Sequence, residues 1–325
     1  MFTTPTETPL NSPMLTRAHY VALLLATACV EGSEPNTTPD LTAVPRSSPP
    51  AGAVWANEVN LVGAGDIAWC SNNGDEATAK LLDTLPGTVF TAGDNAYEEG
   101  TASQFANCYG PTWGRHKART RPSPGNHDYE TSGASAYYAY FGSRAGPSRR
   151  GYYSYDVGSW HVISLNSNVS MANGSAQHTW LKNDLAASSS LCTLAYWHHP
   201  LFASGTQVGG STLSKPLWNL LFAAGVDVIV AGHEHNYERF APQTPDGRAD
   251  VTHGIREFMV GTGGKSLSSA VRSPRLRNSQ VFNGTTWGVL VLRLGEGGYR
   301  WRFVPVAGKT FTDAGSTACH GKPGS

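Results

Sequence analysis

The chain reads as an α/β protein with an open sheet, and three observations predict it. From about residue 56 onward, apolar runs of strand length alternate with segments of helical period. Polar, metal-type clusters follow several of those strands directly: Val62-Gly-Ala-Gly precedes Asp66, and Ile229-Val-Ala-Gly precedes His233. In open α/β sheets, side chains at the carboxyl ends of neighbouring strands converge on one crevice.

The elements follow in order. Glu58 to Ala64 (EVNLVGA) is a buried strand, and Asp75 to Leu85 a helix with Ala77, Leu81, Leu82 and Leu85 on one side. Thr88 to Ala92 is the next strand, and Arg119 to Pro124 is a short extended segment broken by two prolines. Tyr152 to Asp156 and Trp160 to Asn166 flank Val157-Gly158-Ser159 as a β-hairpin. Ala176 to Ala187 is helical, Leu191 to Trp197 a strand, Ser214 to Ala224 a helix, and Val226 to Ala231 a strand. Ile255 to Val260, Thr286 to Leu294 and Tyr299 to Val306 complete a strand-rich C-terminal part.

The first residues read differently. Val21 to Ala28 is a short apolar run, too short to span a bilayer but suited to the core of a secretory signal. Met14 is a better start for it than Met1, and Leu25-Ala26-Thr27-Ala28-Cys29 is similar to a bacterial lipobox, with ordinary cleavage near Ala28 as the alternative. The expected division is a signal over 1–29, a Pro/Ser/Thr-rich linker over 30–55, a catalytic domain over 56–306, and a tail over 307–325 that is loose unless Cys319 anchors it. Export to the periplasm, the cell surface or the medium follows, with a membrane link only through lipid on Cys29. Four cysteines then remain, which allow three pairings. Cys70–Cys108 is preferred because both follow the first two polar clusters, leaving Cys192–Cys319. The absence of Cys-x-x-Cys spacing speaks against a zinc-thiolate site.

Charge excludes some partners. Lys+Arg and Asp+Glu are both 24, so a net charge of zero leaves no global field to attract duplex nucleic acid. Any anion must be drawn by local charge, and bound metal would supply it. Five short clusters carry the donors: Gly65-Asp66, Gly93-Asp94-Asn95-Ala96-Tyr97, Gly125-Asn126-His127-Asp128, His198-His199-Pro200 and Gly232-His233-Glu234-His235. Carboxylate, amide carbonyl and imidazole together suit hard or borderline divalent or trivalent metals. His233 and His235 alternate as in a strand, which would point both the same way.

In their order these clusters resemble the calcineurin-like metallophosphoesterase superfamily, most closely its purple acid phosphatase branch, over roughly residues 58 to 306. Gly93-Asp94-Asn95-Ala96-Tyr97 fits GDxxY, and Gly232-His233-Glu234-His235 fits GHxH. The resemblance implies a four-layer α-β-β-α sandwich of two packed mixed sheets, with a dinuclear metal site at the strands' carboxyl ends. It also implies one metal on Asp66, Asp94, Tyr97 and His235, with Fe(III) favoured there by the tyrosine. A second, Zn, Mn or Fe(II), would sit on Asp94, Asn126, His198 and His233, with Asp94 bridging. Two metals about 3.5–4 Å apart activate a water and clamp phosphoryl oxygens, which implies a small-molecule phosphate ester as substrate. His127, beside Asn126, is the candidate general acid, and His199 faces the substrate phosphate. Two departures stand out: Ala68 replaces the second glycine of the first motif, and the large N-terminal β-domain of the plant enzymes has no counterpart, which implies a compact version.

Other readings compete. A phosphodiesterase or nucleotide pyrophosphatase would use the same metal core, because motifs fix chemistry and loops fix substrate. Gly63-Ala-Gly65-Asp-Ile-Ala68 also matches a dinucleotide-binding turn of an oxidoreductase, although Asp66 would repel a pyrophosphate there. A tethered protein that keeps the metal cage without catalysis is the third. Gly261-Thr-Gly-Gly-Lys265-Ser266 lacks a phosphate loop's first glycine and reads as a strand-exit turn beside the site. Arg239 is structural unless it approaches substrate, and the Tyr137–Phe141 aromatic run is packing. Oligomeric state is not legible.

Overall fold

The computed structural model describes residues 55–321. The signal, the possible lipid site at Cys29 and nearly all of the linker lie outside them. Among the described residues, thirteen strands and six α-helices follow in chain order. The strands are β1 (Val59–Ala64), β2 (Thr88–Ala92), β3 (Thr120–Ser123), β4 (Tyr153–Val157), β5 (Trp160–Ser164), β6 (Cys192–Trp197), β7 (Val228–Ala231), β8 (Tyr237–Phe240), β9 (Arg256–Val260), β10 (Ser279–Asn283), β11 (Gly288–Gly295), β12 (Gly298–Pro305) and β13 (Ala314–Ala318). The helices are α1 (Gly74–Thr84), α2 (Ala102–Gln104), α3 (Asn126–Glu130), α4 (Ser135–Phe141), α5 (Ala176–Ala187) and α6 (Lys215–Ala223).

Two mixed sheets result. The first has six strands in the order β13-β12-β11-β1-β2-β3, and the second has seven in the order β10-β8-β9-β7-β6-β5-β4. Within the first, β1, β2 and β3 are parallel; within the second, β5, β6, β7 and β9 are parallel. The parallel strands read as continuous apolar runs because both of their faces are covered. In β6, Leu194 and Tyr196 enter the core between the sheets, while Ala195 and Trp197 join the cluster beneath α5 and α6. That second cluster takes Leu181 and Leu185 from α5 and Leu217, Trp218 and Leu221 from α6. On the other side, Ala79 and Leu82 of α1 join the core with the first sheet. The four-layer architecture is therefore present.

Aromatic rings knit the two sheets together: Phe90 meets Tyr196 with centroids 5.6 Å apart, and Tyr237 meets Phe303 at 4.7 Å. Two disulfides, Cys70–Cys108 and Cys192–Cys319, match the preferred pairing. The second one anchors the tail, so residues 314–318 pair with β12 as an edge strand instead of hanging loose.

Several local expectations change. The buried side of α1 is Thr78, Ala79 and Leu82, with Ala77 only half-buried. Residues 233–236 form a bend between β7 and β8, not a strand, and β8, β10 and β13 add to the strands read from sequence. The Tyr137–Phe141 run packs as expected, with Tyr137 and Phe141 buried against Phe105.

Candidate metal centre

Five strand ends deliver the predicted residues. Asp66 follows β1, Asp94 and Tyr97 follow β2, Asn126 and His127 follow β3, His198 and His199 follow β6, and His233 and His235 follow β7. Asp66, Asp94 and His233 hold left-handed backbones, with φ of 60°, 50° and 76°. Such conformations disfavour β-carbon-bearing residues and collect at functional sites. Here the left-handed step turns each side chain off its strand line and into the crevice. Glycine does two different jobs nearby. Gly93 itself has φ 83°, whereas a β-carbon on Gly125 would lie 2.1 Å from Asp94 Oδ1, so that loop needs glycine to come close.

The donors meet around Asp94. Tyr97 donates its hydroxyl to Asp66 Oδ1 at 2.8 Å and to Asp94 Oδ2 at 3.0 Å. His235 Nε2 lies 3.4 Å from both the Tyr97 hydroxyl and Asp66 Oδ1. On the other side, His198 Nε2 lies 3.1 Å from Asp94 Oδ2, 3.0 Å from Asn126 Oδ1 and 3.1 Å from His233 Nδ1. The structure thus gathers all seven expected ligand side chains into two groups that share Asp94. The metal-binding donor atoms of Asp66, Asp94 and His198 lie within 4.8 Å of one another, and so do those of His198, His199 and His233.

The donor set fits cations. His198 Nδ1 donates to Ala92 O at 2.8 Å, which leaves its Nε2 facing two oxygens and another imidazole. Donor atoms crowded this closely repel unless a positive charge, a proton or a metal, lies among them. The titrations divide: His199 and His233 favour the neutral form, whereas His198 carries a proton that a metal would displace. Burial pushes His233 down to about 4 and His199 to about 3, helped by neighbouring imidazoles, so both favour the neutral, metal-binding form. Burial opposes ionisation of Asp94, yet the charge and hydrogen bond of His198 hold its carboxyl well below the usual range. For His198, burial is outweighed by the Asp94 and Asp66 charges, which lift it to about 9. Burial and the charges of Asp66 and Asp94 push the Tyr97 phenol well up. A cation beside that phenol reverses the sign of the field.

His127 and His199 stand at the rim. The backbone N–H of His127 donates to Asp94 Oδ1 at 2.8 Å, and its Nδ1 pairs with Glu98 O. Its Nε2 lies 3.9 Å from Asp94 Oδ2, and its ring lies 4.5 Å from that of Tyr97. His199 Nδ1 pairs with Ser167 Oγ at 2.7 Å, and its ring centroid lies 4.4 Å from that of His233.

Sequence reading missed the groups that hold these residues in place. The buried Asp128 carboxylate accepts from Gly125 N at 2.9 Å and Asn95 Nδ2 at 2.9 Å, stitching the second and third loops together. Burial and the Asp94 charge raise Asp128 to about 7. Glu234 accepts from Val208 N at 2.8 Å and from Gly209 N, and Gln207 Nε2 reaches within 3.4 Å of His235 Nδ1. Asp128 and Glu234 stood inside quoted motifs, so their acidity was the available signal. Gln207 and Ser167 lie in polar loops that offered none.

Three smaller readings resolve. The 261–266 turn does lie beside the site, where Lys265 N donates to Asp66 O at 2.9 Å. Arg239 pairs with Asp313 at 2.7 Å and stacks on Trp301, so it is structural. Ala68 is fully buried and bridges to Ala96, tying the first two motif loops. The dinucleotide reading is not supported. No helix opens at Gly65, since α1 starts at Gly74, and Asp66 is committed to the cluster.

The sequence profile of calcineurin-like phosphoesterases matches residues 60–237. This chain belongs to the calcineurin-like phosphoesterase family. Among curated relatives, purple acid phosphatase 15 of Arabidopsis thaliana is 26% identical over 211 residues, covering 54% of this chain and 40% of the relative. An uncharacterised protein of Mycobacterium tuberculosis strain H37Rv is 32% identical over 204 residues, covering 50% and 38% respectively. The chain thus spans well under two thirds of these relatives' lengths. In fold, a purple acid phosphatase from yellow lupin (Lupinus luteus) seeds superposes with a TM-score of 0.67 at 17% identity, covering 80% of this chain and 54% of that one. GAP50, described as the anchor in the inner membrane complex of Plasmodium, gives 0.65 at 16% identity, covering 82% and 90%. The family carries a phosphoesterase-type dinuclear centre.

Proposed function

We propose that this calcineurin-like phosphoesterase is an exported, metal-dependent phosphomonoesterase of the purple acid phosphatase type. One observation carries the reading: Asp94 is shared between two donor groups, a Tyr97-containing one and a His198-containing one. Asp66, Asp94, Tyr97 and His235 would hold one metal, Fe(III) by the phenolate's preference. Asp94, Asn126, His198 and His233 would hold a Zn, Mn or Fe(II) ion. Such a pair supplies a water that loses its proton near neutral pH and positive charge for the phosphoryl oxygens.

The chain's own residues do the rest. His199, oriented by Ser167 Oγ, presents its free Nε2 to a phosphate oxygen. His127, fixed through Nδ1 to Glu98 O, offers Nε2 as the proton donor to the leaving alkoxide. Ala92 O holds the Nδ1 proton of His198, so Nε2 is the nitrogen that would give up its proton to a metal. Two disulfides support folding in an oxidising compartment outside the cytoplasm.

The test compares p-nitrophenyl phosphate with its bis ester on metal-loaded chain. Faster turnover of the monoester is expected; faster turnover of the diester would replace this reading with the phosphodiesterase one. Hydrolysis of neither ester by folded, metal-loaded protein would favour the non-catalytic alternative.

A further inference from the structure

The end of the second sheet opposite the metal centre holds a second cluster of metal-type side chains. Cys192 opens β6, Asp227 precedes β7, and Cys319 and His320 follow β13. Six residue steps along β6 separate Cys192 from His198, at about 3.3 Å per residue. Cys192 and Cys319 form the disulfide that joins the edge strand of the first sheet to the second. Asp227 lies among them, nearly fully buried, and the donor atoms of Cys192, Asp227 and Cys319 lie within 4.8 Å of one another.

Two features go beyond what a structural disulfide needs. The Asp227 carboxylate accepts from Thr193 N at 2.9 Å and His320 N at 2.8 Å, which orients it beside the His320 imidazole. His320 Nδ1 pairs with Gly321 O at 3.1 Å, while its Nε2 is buried with no hydrogen-bond partner, 3.7 Å from Asp227 Oδ1. A buried nitrogen lone pair aimed at a carboxylate oxygen needs a proton or a metal between them. Zinc takes thiolate, imidazole and carboxylate ligands at about 2.0–2.3 Å, so its four tetrahedral ligands lie about 3.3–3.8 Å apart. Cleaving the S–S bond frees both sulfurs to move to such spacing with little change in backbone.

We propose that the dithiol form of this cluster is a structural zinc site, ligated by Cys192 Sγ, Cys319 Sγ, an Asp227 carboxylate oxygen and His320 Nε2. Exchange with a dithiol cleaves the Cys192–Cys319 bond. The pair gains two electrons and two protons, and the dithiol becomes a disulfide. Zinc binding then releases both thiol protons to solvent. The sheets thereby keep a fastening in either redox state, covalent when oxidised and metal-borne when reduced. The motif-based objection to a zinc-thiolate site does not apply, because the two sulfurs come from distant strands instead of a Cys-x-x-Cys turn. The inference is independent of the catalytic reading.

The experiment uses the full chain, reduced with a dithiol that is then removed without air, against the oxidised chain. Zinc per chain is expected to rise by one ion on reduction, and zinc is expected to raise the melting temperature more in the reduced protein than in the oxidised one. Cobalt(II) in its place should show a thiolate charge-transfer band only after reduction. The band should persist in the Cys70→Ser, Cys108→Ser double variant. His320→Ala keeps both thiols and is expected to weaken the extra ion at least about tenfold, the lower end for losing even an outer-shell partner. Equal zinc content in both redox states, a band lost with Cys70 and Cys108, or indifference to His320→Ala would each overturn the proposal.

Discussion

The two sheets bring different chemistry to the seam between them. The first sheet delivers oxygen: Asp66, Asp94, Tyr97 and Asn126 all leave β1, β2 or β3. The second delivers nitrogen: His198, His199, His233 and His235 all leave β6 or β7. Neither sheet alone offers a complete mixed donor set, so the centre exists only where the sheets meet. On the oxygen side, Asp128 and Ala68 tie the loops to one another. The nitrogen side leans outward for support, His198 on Ala92 O of the other sheet and His199 on Ser167.

Asp94 is where the two halves touch, and changing it should have the largest effect. Asp94→Asn is expected to lower kcat by more than about 100-fold, the upper end for losing an outer-shell partner, and to deplete both metals. His233→Ala should remove only the ion on the Asn126 side, leaving one ion per chain by elemental analysis. If His233→Ala emptied the centre entirely, the division into two groups sharing one carboxylate would be broken.

Much of this was legible because the donors are dense and chemically unusual. Four clusters of Asp, Asn and His beside glycine, and a fifth of paired histidines, do not arise from packing needs, and their positions after apolar strands placed them at one crevice. What escaped notice depends on contacts between distant residues. The AGSTA stretch at 314–318 has no alternation of large apolar side chains, and it is a strand only because β12 and Cys319 hold it. The His233–His235 spacing mimicked a strand, whereas the left-handed turn at His233 bends the chain there. Gln207 reaches His235 from a polar loop whose path is set by Glu234, an acceptor for two backbone N–H groups of that loop. Periodicity carries no record of such a contact.

A centre built across a seam should also act as a fastener. Ions that bind only the assembled sheets stabilise the fold by about 2.7 kcal/mol for each site held at a hundredfold its dissociation constant. Chelation is therefore expected to lower the melting temperature, and readdition of metal should restore it. The drop should be greater in protein whose Cys192–Cys319 bond is reduced and zinc-free, since both fastenings are then gone. An unchanged melting temperature on chelation would mean that the sheets hold together without their shared ligands.

The smallest expected effect tests the opposite end of the seam. Burial raises the Asp227 carboxyl from 3.8 to about 6, despite the His320 charge and backbone N–H groups that favour ionisation. Between those two values the folded chain binds more protons than the unfolded one, so this group's contribution falls as pH rises through that window. It is fully present below about pH 3.8 and gone above about pH 6. Asp94 contributes with the opposite sign, because its folded carboxyl is depressed. The wild type alone therefore cannot separate the two, but its difference from Asp227→Asn can. Urea midpoints for the oxidised wild type and Asp227→Asn at pH 4 and pH 6.5 should diverge, with the wild type losing stability relative to the variant at the higher pH. Parallel midpoints would show that the Asp227 carboxylate is as well solvated in the fold as in the unfolded chain.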